Sequence, residues 1–259
     1  MLTGVRGVGK TTTARILAKA LNCEKGPTAT PCNTCETCVE ITECRSLDVL
    51  EVDAASQTGI DETRELLETV KYRPARCRFR VYIIDEAHGL SGKAFDAFLK
   101  TLEEPPAHVK FILATTAANK LPATILSRCQ RYDFRRVPAG EIAAALDRVL
   151  TQEGVSAEPD ALLAVAREAD GSMRDAVSLL DQVLAFSQGR IDREGVRIAL
   201  GLADRQAIRD LLAAVFAHDA PRAMSVLTEV FAQGADLRRY CRDLLERLRH
   251  LTVLAVAGP

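Results

Sequence analysis

The run Gly4-Val5-Arg6-Gly7-Val8-Gly9-Lys10-Thr11 sets glycines, a lysine and a hydroxyl residue at the spacing of a phosphate-binding loop, directly ahead of a helical pattern that begins at Thr12. Glycines let backbone N–H groups ring phosphate oxygens, Lys10 neutralises them, and the Thr11 hydroxyl ligates Mg²⁺. Val81-Tyr82-Ile83-Ile84-Asp85-Glu86 is an apolar strand ending in two carboxylates. Taken alone, Asp-Glu after a strand is also an ordinary helix start. Beside a phosphate loop, Asp85 holds Mg²⁺ through water and Glu86 polarises the attacking water as general base.

A second chemistry lies in Cys23, Cys32, Cys35 and Cys38, spaced C-x8-C-x2-C-x2-C in a Pro/Thr/Asn-rich stretch. Two residues between cysteines allow a tight turn to present both sulfurs to one Zn²⁺ ion, and four thiolates make a closed, structural site. Turn-forming neighbours argue against buried free thiols or transient disulfides. Cys44 is a spare candidate ligand, ranked lower because Thr42-Glu43 suggests that it lies on a helix; Cys77, Cys129 and Cys241 are too scattered to join.

These groups need a scaffold. Apolar runs at Leu47 to Val52, Phe79 to Ile84 and Val109 to Ala114 are continuous rather than alternating, as in strands buried on both faces. Helical patterns at Thr12 to Leu21, Asp61 to Lys71 and Lys93 to Leu102 lie between them, which predicts a doubly wound α/β domain over 1–137 with the cysteine module within 22–44. After Pro138 only the helical period remains, near 140–152, 159–169, 173–186 and 192–199, a small all-helical domain over 138–201. Amphipathic helices at Ala207 to Phe216, Arg222 to Phe231 and Leu237 to Val256 begin a third helical domain, 202–259.

Composition narrows the classes. The 259 residues are 47% hydrophobic, and 34 basic residues nearly cancel 35 acidic ones, so DNA contact must use local patches. No apolar run approaches the roughly 18 residues of a membrane span, and no charged-then-apolar leader opens the chain, which reads as cytoplasmic with no membrane partner. The basic stretch Lys71 to Arg78 reads equally as a phosphate contact or as a solvated loop.

The string Asp85-Glu86-Ala87-His88 is similar to one in a family of nucleic-acid helicases, but those resemble tandem α/β domains, whereas here everything after Pro138 is helical. The phosphate loop, the cysteine insert, Asp85-Glu86, Leu102-Glu103-Glu104-Pro105-Pro106 and Ser127-Arg128-Cys129 together resemble the tau/gamma subunits of bacterial DNA polymerase III clamp loaders, over essentially the whole chain. The resemblance implies an AAA+ fold, a helical lid and the start of a collar domain, with ATP, Mg²⁺ and Zn²⁺ as cofactors. It implies an ATPase motor that loads the beta sliding clamp onto primer-template DNA with delta and delta-prime subunits and copies of itself. It makes Thr116 the sensor of the γ-phosphate, with Thr115 as the neighbouring fallback, and Arg174 the second-domain sensor at a helix start. Arg128 alone would read as a surface arginine at a helix end; the resemblance has it complete a neighbouring subunit's site. Against the family pattern, only Met1, Leu2 and Thr3 precede the loop where a full strand is expected. That predicts weak ATP binding and exposed sheet neighbours, and keeps a non-hydrolysing scaffold as the alternative.

Overall fold

Continuous apolar runs need cover on both faces, and in the computed structural model, which describes residues 1–55, 60–187, 189–201, 205–232 and 236–258, they form the middle of a five-stranded sheet. The strands are β1 (Leu2–Gly4), β2 (Val49–Asp53), β3 (Arg80–Asp85), β4 (Val109–Thr115) and β5 (Tyr132–Phe134), in the order β2-β3-β4-β1-β5. Every pair is parallel. The register sets Asp53 beside Asp85 and Thr3 beside Thr115, so all strands deliver their C-terminal ends to one edge.

Side chains alternate across this sheet with period two. Val81 and Ile83 of β3 pack with Leu2, Ile112, Ala114 and with Ala14 and Ala18 of helix α1 (Lys10–Asn22). Ile84 turns the other way, toward Phe95 and Phe98 of α4 (Gly92–Glu103) and Ile125 of α5 (Ala123–Leu126). Two further helices flank the sheet on opposite faces, α2 (Glu36–Thr42) with Ile41 on the α1 side and α3 (Ile60–Thr69) with Leu66 and Leu67 on the α4 side. The doubly wound α/β arrangement follows as the sequence predicts.

One expectation is corrected. A strand does form ahead of the loop: β1 is only three residues long, yet it pairs with Ala114 and Thr115 of β4 and with all of β5, so these neighbours are covered over that register. Thr3 is buried, and its hydroxyl donates to the Asp133 carboxylate of β5.

The chain divides into two compact units, one of Met1–Val137 with Gly171–Arg174, the other of Pro138–Asp170 with Asp175–Pro259. The second is helical: α6 (Ala139–Glu153), α7 (Pro159–Glu168), α8 (Met173–Phe186, its first residues belonging to the first unit), α9 (Arg193–Ala199), α10 (Arg205–Phe216), α11 (Ala220–Ala232) and α12 (Leu237–Ala257). Ile142, Leu146 and Leu150 form the buried stripe of α6 at fourfold spacing. A parallel ladder of β6 (Ser156–Ala157) and β7 (Arg190–Ile191) was not predicted. Further on, Ile208, Leu211 and Leu212 enclose Val230 and Tyr240, whose hydroxyl donates to the Ala207 carbonyl at 3.0 Å. Residue 202, the expected start of a third domain, lies outside the described residues.

Candidate active site and cysteine centre

The loop from Gly4 to Lys10 joins β1 to α1 at the C-terminal edge of the sheet, where a parallel architecture collects its functional groups. Gly7 and Gly9 take left-handed φ of 75° and 94°, and a Cβ on Gly7 would overlap the Ser172 side chain. The Gly7 carbonyl accepts from the Met173 amide at 3.0 Å, so the segment Gly171–Arg174 is part of the loop's own unit. Gly9 begins α1 without a side-chain cap, and no acidic residue sits in the first turn. That leaves the positive end of the helix to an anion. Val5 and Val8 are half-buried, while Arg6 and Thr12 are exposed along the same stretch.

Lys10 is 6% exposed, and its Nζ donates to the carbonyls of Gly4 (3.0 Å) and Val5 (2.9 Å). Burial pulls the Lys10 ammonium below its ordinary pKa; the carboxylates of Glu86 and Asp85 oppose this, and the charge of Arg174 adds to it. Anionic oxygens at the loop would favour the charged form, which suits the donor set to a phosphate. The Thr11 hydroxyl donates to Asp85 Oδ2 at 2.6 Å, which brings together two oxygens of the kind a hard cation takes alongside water.

Glu86 follows β3 with φ 45°, a left-handed conformation that few non-glycine residues adopt. The turn brings its Oε2 to the Thr116 amide (3.2 Å) and hydroxyl (2.9 Å), just past β4. His88 Nδ1 stands 3.2 Å from the same oxygen and 3.0 Å from Thr115 Oγ1. Thr115 is fully buried and accepts from the Ala117 amide at 3.1 Å. Lys10, Thr11, Asp85, Glu86, Thr116 and Arg174 are therefore gathered at one place. His88 has no role in the sequence reading, although it ends the very string noted there.

Arg128 stands apart. It follows α5 on the surface, donating to the Thr124 carbonyl at 2.8 Å and to Glu103 Oε1 at 2.6 Å.

The four predicted cysteines come together, with all four sulfurs within 4.8 Å of one another. Cys23 and Cys32 sulfurs are 3.6 Å apart, close to the roughly 3.8 Å edge of a tetrahedron with metal–sulfur bonds of about 2.3 Å. Amides point at the sulfurs: Cys35 N–H lies 3.3 Å from Cys32 Sγ, and Cys32 N–H 3.5 Å from Cys23 Sγ. Hydrogen bonds from the Thr34 and Cys35 amides bring the Cys32 thiol down to about 5, while burial pushes Cys38 up to about 12. The cluster can hold a metal ion. Cys44, expected on a helix, instead lies past the end of α2 at φ 56°, and it is exposed. It is outside the metal-binding group of sulfurs among the described residues.

Two arginines of the basic stretch are used within the fold. Arg78 donates to the carbonyls of Cys23 and Glu24, each at 3.2 Å, and to that of Gly26; Arg76 pairs with Glu36 at 3.0 Å. Asp48 anchors this loop by accepting from the amides of Ala75 (2.7 Å), Arg76 (2.8 Å) and Cys77 (2.9 Å).

Comparison with known proteins agrees with the geometry. Residues 1–138 match the model of "DNA polymerase III, delta subunit", 141–189 that of the clamp loader subunit ATPase lid domain, and 191–259 that of domain III of subunits gamma and tau. The chain is 46% identical over 257 residues to DNA polymerase III subunit tau of Salmonella typhimurium, covering 99% of this chain and 40% of that one. It is 42% identical to the Bacillus subtilis tau subunit (99% and 46%) and 40% identical to the gamma subunit of Buchnera aphidicola from Acyrthosiphon pisum (97% and 70%). The chain thus spans about 40% of the length of the Salmonella relative. Among solved structures, the Thermotoga maritima RuvB Holliday junction branch migration motor superposes with a TM-score of 0.58 at 19% identity, over 83% of this chain and 67% of that one. At that identity the likeness establishes the fold.

Proposed function

Because this chain belongs to the family of DNA polymerase III tau and gamma subunits, with an AAA+ sheet and an ATPase lid, we propose that it is the ATP-hydrolysing part of a clamp-loader subunit. In this reading it works in the cytoplasm with delta and delta-prime subunits and further copies of itself, opening a beta sliding clamp and placing it on primer-template DNA. The nucleotide-binding, lid and collar parts are assigned to 1–137, 138–201 and 202–259.

The observation that carries this reading is the hydrogen-bonded line from Thr11 through Asp85 to Glu86 and Thr116, laid beside buried Lys10. The amides of Gly4–Thr12 and the Lys10 ammonium hold the terminal phosphates of ATP. Thr11 and Asp85 would hold Mg²⁺, which supplies charge neutralisation on the phosphate oxygens. Glu86 takes a proton from water as its oxygen attacks the γ-phosphorus, while the bond to the β-phosphate oxygen breaks and ADP leaves. Thr116 ties the Glu86 carboxylate to the end of β4, and Arg174 adds positive charge near Lys10. Arg128, on the surface and held by Glu103, serves a neighbouring subunit's ATP in trans. Cys23, Cys32, Cys35 and Cys38 hold Zn²⁺, a structural role with no open position.

The deciding experiment measures ATP turnover of the full-length subunit in its assembled complex, with and without clamp and primed DNA, for wild type, Lys10→Ala and Arg128→Ala. Turnover stimulated by clamp and DNA and lost in both variants is expected. Absent turnover in the wild type would instead support a non-hydrolysing scaffold, and turnover that clamp and DNA leave unstimulated would count against clamp loading.

A further inference from the structure

The Glu86 carboxylate is held from two sides, and only one of them belongs to the residues already given a role. Thr116 donates its amide and hydroxyl to Oε2, and His88 Nδ1 faces the same oxygen at 3.2 Å. A carboxylate oxygen only accepts, so this contact is attractive when Nδ1 carries the hydrogen. The other neighbour of Nδ1 is compatible with that tautomer, since Thr115 Oγ1 at 3.0 Å is a hydroxyl oxygen that can also accept. Thr115 is itself fixed, wholly buried at the end of β4 and held by the Ala117 amide. The imidazole is therefore braced by the sheet, in the turn Ala87–Gly89, and half-buried.

We propose that His88 is a positioning residue for Glu86: its Nδ1–H, oriented by Thr115, pins one carboxylate oxygen so that the other is presented to the attacking water. The left-handed backbone of Glu86 fits a residue held by its surroundings, because a strained conformation persists only where they determine it. This inference rests on the reading of Glu86 as general base.

The test uses the full-length subunit in its assembled complex and compares Glu86→Gln, His88→Ala, His88→Asn and Thr115→Val. Misplacing a general base by about an ångström costs up to roughly a hundredfold in rate. His88→Ala is expected to lower kcat by about tenfold or more with KM for ATP unchanged. His88→Asn, whose side-chain amide N–H replaces Nδ1–H, should recover most of that loss. Thr115→Val should lower kcat in the same direction, and its effect should largely vanish in the His88→Ala background. Wild-type kcat in His88→Ala would overturn the proposal, as would His88→Ala and His88→Asn being equally impaired with a common fall in melting temperature. If Glu86→Gln turns over at the wild-type rate, the general-base reading fails first, and the two failures are told apart.

Discussion

The two centres of the first unit are assembled in opposite ways. The four cysteines lie within sixteen positions of chain, and their sulfurs meet through tight turns at the end of one helix and the start of the next. Lys10, Asp85 and Thr116 are spread over more than a hundred positions and meet because three parallel strands end at one edge. The first geometry is one that a bound ion would hold together, since thiolates packed together repel one another without it. The second depends on the sheet, whose register stands whatever occupies the cleft. A site of the first kind should collapse when its ligand is removed, and a site of the second kind should lose only binding.

Removing a sulfur is the harshest way to probe that contrast. Structural zinc in small modules contributes about 10–16 kcal/mol of apparent binding energy. Cys35→Ser should therefore cut zinc affinity by several orders of magnitude and strip hydrogen-exchange protection from 23–44. ATP affinity, measured by fluorescent nucleotide titration, should stay within about threefold because the sheet is intact. A large loss of ATP affinity would show that the two centres are not independent. Next in size is Lys10→Ala, which should weaken ATP by roughly a hundredfold, the worth of a charge-assisted contact at a buried ammonium. Its melting temperature should hardly change.

Asp48, which anchors the loop at 75–77, gives a smaller, pH-dependent effect. Burial alone would raise its carboxyl, but the amides of Arg76, Cys77 and Ala75 together outweigh burial and hold it below the usual carboxylate range. Such a group contributes its full stability above its unfolded value near 3.9 and loses it as pH falls through the lower folded value. Urea midpoints of the wild type should thus fall as pH drops from about 5 toward 3. Asp48→Asn should cost about 2 kcal/mol at neutral pH and flatten that dependence. Smallest is the forked pair of Arg15 and Glu51, with both bonds at 2.7 Å but each side chain about a third exposed. Glu51→Gln should change stability by less than about 1 kcal/mol and lose even that in high salt.

What the sequence shows in advance divides along the same line. The cysteine cluster is legible from spacing alone, because its geometry is local. The strands ending in Asp85 and Thr115 are legible from continuous apolar runs, and the helices from their period. Three-residue strands such as Leu2–Gly4 and Tyr132–Phe134 carry too few side chains for any period, so their pairing emerges only from neighbours in the sheet. His88 is illegible for a different reason: its partner Thr115 lies 27 positions away on another strand. The Asp-Glu-Ala-His string marked the residue without revealing what it touches. Arg78 was open between a nucleic-acid contact and a loop cation, since a guanidinium that binds backbone carbonyls leaves no trace in residue type.

The helix that leaves the phosphate loop has one more consequence. Its thirteen residues rise about 1.5 Å each, so nearly 20 Å separate Lys10 from the point where Cys23 begins the metal module. The helix runs against the strands, so whatever is spliced in at its far end emerges on the rim opposite the chemistry. Extra sequence can be grown there and shaped to new neighbours, while the geometry of the phosphate-loop edge stays unchanged.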